Sequence, residues 1–414
     1  MDARWIRLAR NGFCLLVFGL ILARTTLQIP MFPNWDMMGY MGVAQEWAHD
    51  DPVDVHRTTY EAARKELPTE AFLSLVDPRQ SVRKARYDDP VAFHEHLAFY
   101  RARVLPTLMM QGMFQLGLPL SKSLWWINLG SYAATAILML VWIARRLPLG
   151  IAALIAALLA QAPPLLTTAM MSTSDGLATL LLCAGLWCVA ERRRLKLGTV
   201  LLVLSVLSRP DSVILIGFWG LVTWFLERRN QDRLPLPALG GILAVSVVAY
   251  LGVQNHAREY GWWPLFHISF LQKEAYPSQI ATDVDFAAYS SKLAEKANEI
   301  PGVGYFLQGS VRGSSYPFVY AGFTLLALAL ARRFGHARRL ARAEAILIAM
   351  LVAFSLRWFL FPQLWDRFFA PMYVLVPLVL LSMACDALDE SGSAGPDSPN
   401  EPDPAPDGGT PPAA

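Results

Sequence analysis

Acidic and basic side chains border the apolar stretches of this chain, where they could catalyse a group transfer. Asp36, in NWDMMGY, lies just after the first long apolar stretch, and Tyr40 follows one helical turn later. A carboxylate at the membrane edge avoids the ~2.5–3.5 kcal/mol cost of a charge at the bilayer centre, and it can act there as a general base. Asp36 could equally cap the first turn of a helix, and spacing alone leaves both interpretations open.

Basic residues in similar positions could hold a phosphate. Arg101 and Arg103 belong to FYRARVLP, Arg209 and Asp211 to SRPDS, and Arg367 to DRFFAP. Arginine binds phosphate oxygens through paired, charge-assisted hydrogen bonds. Arg209 follows an apolar stretch that is short for a membrane span, so an unpaired charge there would be costly, and Asp211 is its candidate structural partner. Arg367 could instead extend its charge to the membrane surface.

Other ionisable residues are candidates with structural alternatives. Asp175, in STSDGL, begins an apolar stretch, where it could bind substrate or cap a helix. Arg258, in QNHAREYGWW, precedes two tryptophans that could stack on a sugar or belong to an interfacial aromatic belt. His94 and His96 point to different sides of a helix, so we expect surface histidines and no metal site. No cofactor is indicated, although a divalent cation stays open.

The composition indicates a membrane protein. Of the 414 residues, 54% are hydrophobic and 17% are charged, and the mean hydropathy is +0.35, which is too apolar for a soluble globular chain. The net charge of +3 gives no sign of nucleic-acid binding. Each of the four cysteines lies in an apolar stretch, which argues against a disulfide framework.

The apolar stretches predict the elements that must position these side chains. We expect an all-α, polytopic membrane protein with about ten transmembrane helices. They lie near residues 12–30, 123–144, 149–166, 174–190, 197–208, 211–226, 236–253, 316–331, 343–361 and 367–385. The first could be a signal peptide, but no small-residue cleavage site follows it, so we expect it to be retained.

Lysine and arginine predict the orientation of these spans. Basic clusters fall at every second connection, which places both termini in the cytoplasm. Residues 1–385 then form the transmembrane domain, with outer loops at about 31–122 and 254–315. Residues 386–414 are acidic and rich in Pro and Gly, so we expect a disordered cytoplasmic tail. In a bacterium, this is a multi-pass protein of the inner membrane with its charged site facing outward.

The first outer loop should begin with an interfacial helix. On a helix, Asp36, Tyr40, Val43 and Trp47 share one face, while methionines on other faces offer apolar contact. This pattern predicts a helix lying along the membrane surface.

The order of these motifs resembles the GT-C superfamily of membrane glycosyltransferases, which includes protein O-mannosyltransferases and lipid A aminoarabinose transferases. The resemblance covers roughly residues 10 to 385 and rests on the series WDMMGY, FYRARVLP, ARRL, LLAQAPPLL, TSDGLATLLLCAGL, SRPD and DRFFAP. It implies a GT-C-like fold and transfer, with inversion, from a polyprenyl-phosphate-linked sugar donor on the outer side of the membrane. The implied acceptor is a glycan, a lipid or a protein.

The resemblance also implies residue roles. Asp36 matches the family's catalytic aspartate, and Asp175 matches the carboxylate at the outer start of the fourth span. Arg103 stands near a basic position ahead of a proline, and Arg367 matches the basic residue of the late motif. Two departures matter: no D-x-D pair follows Asp36, and the loop 254–315 has no room for a large soluble domain.

The predicted site uses Asp36 as general base, and other residues of the same site bind the substrate and the donor phosphate. The predicted binding residues are Tyr40, Arg101, Arg103, Asp175, Arg209, Asp211, Arg258 and Arg367. We expect them to line one pocket at the rim of the membrane. A cell-surface polysaccharide polymerase or ligase stays open, although its arginines are expected in large late loops. A transporter or flippase of a lipid-linked substrate also stays open, although few charges fall near the middle of the spans.

Overall fold

The computed structural model describes residues 3–191, 194–227, 234–257, 260–272, 274–298, 316–334 and 340–393. Within these ranges the chain is helical and contains no strand, apart from one isolated backbone bridge between Phe32 and Met171. The prediction of an all-α protein is therefore confirmed for this part of the chain.

The described ranges contain nineteen α-helices. In chain order they are α1 Ala3–Gln28, α2 Trp35–Glu46, α3 Pro52–Glu66, α4 Thr69–Leu75, α5 Ser81–Asp88, α6 Pro90–Arg101, α7 Val104–Gln115, α8 Leu120–Ile143, α9 Leu149–Ala160, α10 Pro163–Met170, α11 Asp175–Ala190, α12 Leu195–Ser208, α13 Ser212–Glu227, α14 Leu236–Ala257, α15 Trp262–Phe266, α16 Phe286–Asn298, α17 Tyr316–Phe334, α18 Leu340–Leu360 and α19 Ala370–Ser393. A π-helical turn, His267–Leu271, and two 3₁₀ turns, Pro277–Gln279 and Asp366–Phe369, lie between some of them.

Fewer helices than predicted are long enough to span a membrane. Among the described residues, five segments are sufficiently long and apolar, namely Ile6–Gln28, Leu120–Ile143, Leu236–Ala257, Ala343–Leu360 and Asp366–Asp386. The pair α9 and α10 is a sixth candidate. Apolar helices of 10–17 residues occupy four further predicted spans, at Asp175–Ala190, Leu195–Ser208, Ser212–Leu226 and Tyr316–Ala329. A membrane protein is supported, and the total of about ten spans stays a prediction.

The span predicted near 149–166 is broken in two. α9 ends at Ala160, and α10 begins at Pro163 with its axis turned by 60°. Proline has no backbone N–H to donate, so the pair Pro163–Pro164 interrupts the helical hydrogen bonding and starts a new helix. The Asn128 side chain donates to the carbonyl oxygen of Met171 at 2.9 Å, beyond the end of α10. This bond holds the connection to α11 in place.

Two hydrophobic cores organise the chain. The bundle core joins side chains from α1, α8–α14 and α17–α19, with Trp142, Trp219 and Tyr373 among its largest fully buried members. The loop core joins α2–α7 with the segment after α14, and it buries Met37 and Phe93 completely. The predicted first outer loop is therefore a helical subdomain whose core also includes buried side chains from the first turns of α8 and α11.

The prediction of an interfacial first helix is wrong for α2. Residues Met37 through Gln45 are all buried, because α3, α6 and α7 pack around the helix. Trp47, just after the helix, is exposed. Spacing identified one polar face but could not show that other loop helices cover the remaining faces.

The predicted boundary of the tail at residue 386 stays a prediction, although the last described helix extends past that residue. α19 continues to Ser393, and Asp386 forms an ion pair with Arg146 at the other end of the bundle from Asp36. Residues 394–414, which carry most of the predicted disordered tail, lie outside the described residues.

Candidate active site

A short backbone contact brings Asp36 to the start of α11. After α1 ends, the Phe32 N–H donates to the carbonyl oxygen of Met170 at 2.8 Å, which lays the chain before α2 beside the connection from α10 to α11. The hydroxyls of Tyr40 and Ser174 then share a hydrogen bond of 2.7 Å. Asp36, in the first turn of α2, consequently lies close to Asp175, the first residue of α11.

Asp36 is held by one neighbouring side chain and by two from distant parts of the chain. The Tyr100 hydroxyl donates to it at 2.8 Å, the Asn34 amide donates at 3.1 Å, and an Arg367 N–H lies 2.5 Å from its Oδ2. The N-cap of α2 is Asn34, which makes no side-chain capping bond. Asp36 is therefore bound by tertiary contacts and does not serve as a helix cap.

Asp36 begins a row of alternating charges. Arg367 lies 3.8 Å from Asp175 as well as contacting Asp36. Asp175 forms an ion pair with Arg209, which donates two hydrogen bonds of 3.1 Å to Asp211. Asp211 in turn pairs with Arg357 of α18. We call this row the charge network, and its members in order are Asp36, Arg367, Asp175, Arg209, Asp211 and Arg357.

The charge network is largely shielded from water. Arg367 and Asp175 are buried, and the side chain of Arg209 is 11% exposed. Its members come from α2, α11, α18, the turn between α12 and α13, and the 3₁₀ turn before α19. Three carboxylates alternate with three guanidiniums, so each buried charge has an opposite neighbour.

The charge network forms part of the wall of a large cavity of about 1050 Å³. Eight arginines and lysines line it against three aspartates, and together they are Arg83, Arg86, Arg103, Arg209, Lys292, Lys296, Arg357, Arg367, Asp36, Asp175 and Asp211. We call this space the basic cavity. The excess of positive charge favours an anionic ligand, because a partly desolvated site strengthens attraction to phosphate or carboxylate.

The pKa shifts of Asp36, Arg209 and Asp211 keep these three groups ionised at neutral pH. Burial tends to raise the pKa of Asp36, but Arg367, Tyr100 and Arg103 hold it below its usual value. Burial lowers the pKa of Arg209 to about 10, still well above neutrality. Burial would likewise raise the pKa of Asp211, and its two arginine neighbours keep it far below its usual value.

Arg103 lies between the two tyrosines that border Asp36. It precedes α7, and its guanidinium lies over the rings of Tyr40 at 5.7 Å and Tyr100 at 5.2 Å. One of its N–H groups donates to the carbonyl oxygen of Phe99. Arg103 therefore brings a further positive charge to the cavity wall, where it helps to lower the pKa of Asp36 and of Asp211.

Seven of the nine predicted site residues line the basic cavity. They are Asp36, Tyr40, Arg103, Asp175, Arg209, Asp211 and Arg367. Arg101 does not line it, because its guanidinium donates to both carboxylate oxygens of Glu46, at 2.8 and 2.5 Å, and contacts His94. Arg258 lies outside the described residues.

The structure distinguishes between the functional and the purely structural roles considered for Asp175, Arg367 and Arg209. Asp175 is not the cap of α11, since the N-cap is Ser174 and Asp175 contacts arginines instead. Arg367 does not extend to a surface, because it is only 7% exposed. The pairing of Arg209 with Asp211 is present as expected, and Asp175 adds a second partner.

Several other cavity residues have weaker signals in the sequence. Tyr100 belongs to the FYRAR motif, yet its bond to Asp36 depends on how α6 packs on α2. Arg83 and Arg86 lie in a polar loop segment with no apolar border to mark them. His96, expected at the surface, is buried, and burial lowers its pKa well below the usual value. Arg357 flanks the late connection and pairs with Asp211.

Metal-binding side chains do not cluster in the described part of the chain. No group of three His, Cys, Asp or Glu side chains there is arranged to hold a metal ion. His94 contacts Arg101 and Glu46, whereas His96 binds Arg86.

The two tryptophans after α14 have different environments. Trp262 lines the basic cavity, and its indole N–H donates to the carbonyl oxygen of Leu360 at 2.7 Å. Trp263 is buried in the loop core. Only Trp262 of the pair borders the space in which a sugar ring could stack.

Comparisons of this chain with protein-family models, curated proteins and solved structures found no match.

Proposed function

We propose that this chain is an integral membrane glycosyltransferase that moves a sugar from a polyprenyl-phosphate donor to an acceptor hydroxyl. The observation that carries the proposal is that Asp36 shares the basic cavity with Arg103, Arg209 and Arg367. A carboxylate beside several arginines matches the two needs of the reaction, a base for the acceptor and cations for the leaving phosphate. The resemblance to GT-C enzymes assigns the catalytic carboxylate to the same position.

In the proposed reaction, the acceptor oxygen attacks the anomeric carbon of the donor sugar. Asp36 accepts the hydroxyl proton while the new carbon–oxygen bond forms. The bond between the anomeric carbon and the phosphate oxygen breaks, and its electron pair leaves with the polyprenyl phosphate. Attack on the face opposite the leaving phosphate inverts the anomeric centre. General base catalysis of this kind typically contributes about 10²–10⁴-fold to the rate.

The arginines would bind the donor phosphate by exchanging partners. Arg367 contacts Asp36, and the phosphodiester of the donor offers the same guanidinium two oxygens for paired, charge-assisted hydrogen bonds. Once Arg367 turns to phosphate, Asp36 keeps the hydrogen bonds from Tyr100 and Asn34. Loss of the neighbouring cation raises the pKa of Asp36 and makes it a better base at the moment when substrate is present.

The position of the cavity suits a lipid-linked substrate. Apolar helices α1, α12 and α18 end at it, and α11 and α19 begin beside it. The prenyl chain can therefore lie among apolar helices while its phosphate reaches the arginines. The positive-inside pattern supports a site on the periplasmic side of a bacterial inner membrane, with both termini cytoplasmic. Within the proposal, the acceptor is a glycan, a lipid or a protein.

Turnover of radiolabelled polyprenyl-phosphate sugars by purified protein in liposomes tests the proposal. A panel of hexose and pentose donors is incubated with cell-envelope extract as the source of acceptor, and transferred label is counted. We expect Asp36→Asn to reduce transfer by about 100-fold or more, because the base is lost while size is conserved. Asp54→Asn is the control, since Asp54 is an exposed residue of α3 that pairs with Arg57.

Two results would contradict the proposal. Full transfer by Asp36→Asn would remove Asp36 from the mechanism. Movement of labelled lipid between leaflets, with no transfer by any form of the protein, would favour a flippase. Equal membrane insertion of both variants, checked by detergent extraction and size exclusion, excludes misfolding as the cause of lost transfer.

A further inference from the structure

A second basic group lies on the wall of the basic cavity, apart from the charge network. Arg83 and Arg86 of α5 place their guanidiniums over the ring of Trp35, at 5.5 and 5.4 Å from its centroid. All three side chains line the cavity. We call these two arginines the α5 pair.

The α5 pair differs from the charge network in having no carboxylate partner. Arg86 is 3% exposed, and its Nη1 donates to Nε2 of His96 at 2.9 Å. Its Nε and Nη2 groups are buried without a hydrogen-bond acceptor. Arg83 donates to the carbonyl oxygen of Ser74 at 3.0 Å, and neither arginine forms an ion pair with a described carboxylate.

A buried guanidinium without a counter-charge is costly, so its retention needs a reason. Removing an ion from water without pairing it carries a penalty of several kcal/mol. Burial lowers the pKa of Arg86 to about 10, which leaves it charged at neutral pH. The stacked ring of Trp35 offsets only part of that penalty, since a cation–π contact contributes about 0.5–2 kcal/mol. Asp36 acts on Arg86 only from a distance, so no carboxylate of the described residues contacts the buried donors of Arg86.

We infer that the α5 pair, with Trp35, forms a second oxyanion subsite, which binds a phosphate or carboxylate group of the acceptor. Trp35 directly precedes Asp36, and Tyr100, which donates to Asp36, packs against His96 with ring centroids 5.2 Å apart. An acceptor bound at the α5 pair is thus separated from Asp36, the proposed base, by little more than the side chains of Trp35, His96 and Tyr100. The acceptor assignment rests on the proposed function, whereas the anion binding does not.

This assignment divides the basic cavity between two substrates. The arginines of the charge network already pair with carboxylates, so a donor phosphate can displace those carboxylates and later leave. The α5 pair offers unpaired donors, which suits steady binding of a group that does not react. Neutral acceptors that lack the anion should therefore be poor substrates.

Anion binding by purified protein tests the subsite without any need for turnover. Inorganic phosphate is titrated calorimetrically into detergent-solubilised protein. In parallel, lipid binding is measured for protein in phosphatidylcholine nanodiscs with and without phosphatidate. Wild type should bind two phosphates, one at each basic group. Arg83→Gln or Arg86→Gln should weaken phosphate binding at the α5 pair at least about tenfold, because each removes a charged hydrogen-bond donor. Phosphate binding at the charge network should be unchanged.

Arg79→Gln is the matched control, because Arg79 precedes α5, pairs with Asp77 and is 88% exposed. If both α5 variants bind inorganic phosphate more weakly than wild type and the control does not, the subsite takes a soluble anionic acceptor. A loss seen only with phosphatidate nanodiscs assigns a lipid headgroup.

Arg86→Met separates ligand binding from a structural role. If the charge is kept for a ligand, this variant unfolds at the same or a higher temperature than wild type in phosphate-free buffer. A lower unfolding temperature for Arg86→Met would overturn the inference. Wild-type binding of both inorganic phosphate and phosphatidate nanodiscs by Arg83→Gln and Arg86→Gln would overturn it as well. Failure of Asp36→Asn to lose transfer would instead count against the proposed function and leave the phosphate result standing.

Discussion

Replacing Asp175 by Asn removes the central carboxylate of the charge network and keeps its size. Asp175 is 4% exposed and bridges Arg209 and Arg367. Its removal leaves one uncompensated positive charge among buried groups. We therefore expect Asp175→Asn to destabilise the folded protein, whatever the substrate.

The magnitude follows from the remaining partners. Removing one partner of a buried ion pair typically costs about 3–5 kcal/mol. Each affected arginine keeps a second carboxylate, Asp36 for Arg367 and Asp211 for Arg209. We therefore expect a loss near the lower end of the range, about 3 kcal/mol in the free energy of unfolding. Asp88→Asn, which removes an exposed pair with Lys84, should cost less than about 1 kcal/mol.

The assay is unfolding by denaturant or SDS titration in detergent micelles, followed by circular dichroism. The double variant Asp175→Asn with Arg209→Gln restores charge balance, so it should be less destabilised than the two single losses added together, by about 0.5–3 kcal/mol. Additive losses, or an Asp175→Asn variant as stable as Asp88→Asn, would refute the idea that these residues form one coupled network.

Further predictions concern the pH dependence set by Asp36 and the packing of two glycines. Burial tends to raise its pKa, but Arg367 and other neighbours hold it below the usual 3.8, so its contribution to stability is complete above pH 3.8 and disappears as pH falls through the lower folded value. The acid limb of kcat/KM reports the free protein and should lie below pH 3.8. The acid limb of kcat should lie at higher pH, because bound phosphate draws Arg367 away from Asp36. Acid limbs at the same pH would show that Arg367 stays on Asp36. Gly39→Ala places a methyl group against the ring of Tyr100, so we expect a loss of about 1–3 kcal/mol in stability together with reduced transfer. Gly12→Ala in α1, where nothing lies within 4 Å, should stabilise its helix by up to about 1 kcal/mol, and equal stability of the two variants would contradict this packing.

Much of the candidate site could be predicted because membranes restrict where charges occur. A charged side chain is tolerated at the end of an apolar helix and is costly in its middle. Asp36, Asp175, Arg209 and Arg367 each border an apolar stretch, and each lines the basic cavity. The sequence therefore predicted which residues could form a site, and their meeting in one cavity required the structure.

The first loop shows what the sequence could not predict. Arg83 and Arg86 lie in a polar segment whose pattern suits any exposed helix, and only the packing of α5 and α6 turns them into the cavity. Arg101 has the same residue type and the same motif as Arg103, yet Glu46 holds it away from the cavity. Local spacing carries no information about such long-range pairing, so one arginine of the motif was assigned correctly to the wall and the other was not.

A structure of the Asp36→Asn variant with a bound polyprenyl-phosphate sugar, determined by cryo-electron microscopy, tests the central claim most directly. We expect donor phosphate oxygens about 2.7–2.9 Å from guanidinium nitrogens of Arg209, Arg367 or Arg103, with the anomeric carbon facing residue 36. Donor density outside the basic cavity, or a phosphate that contacts none of these three arginines, would contradict it.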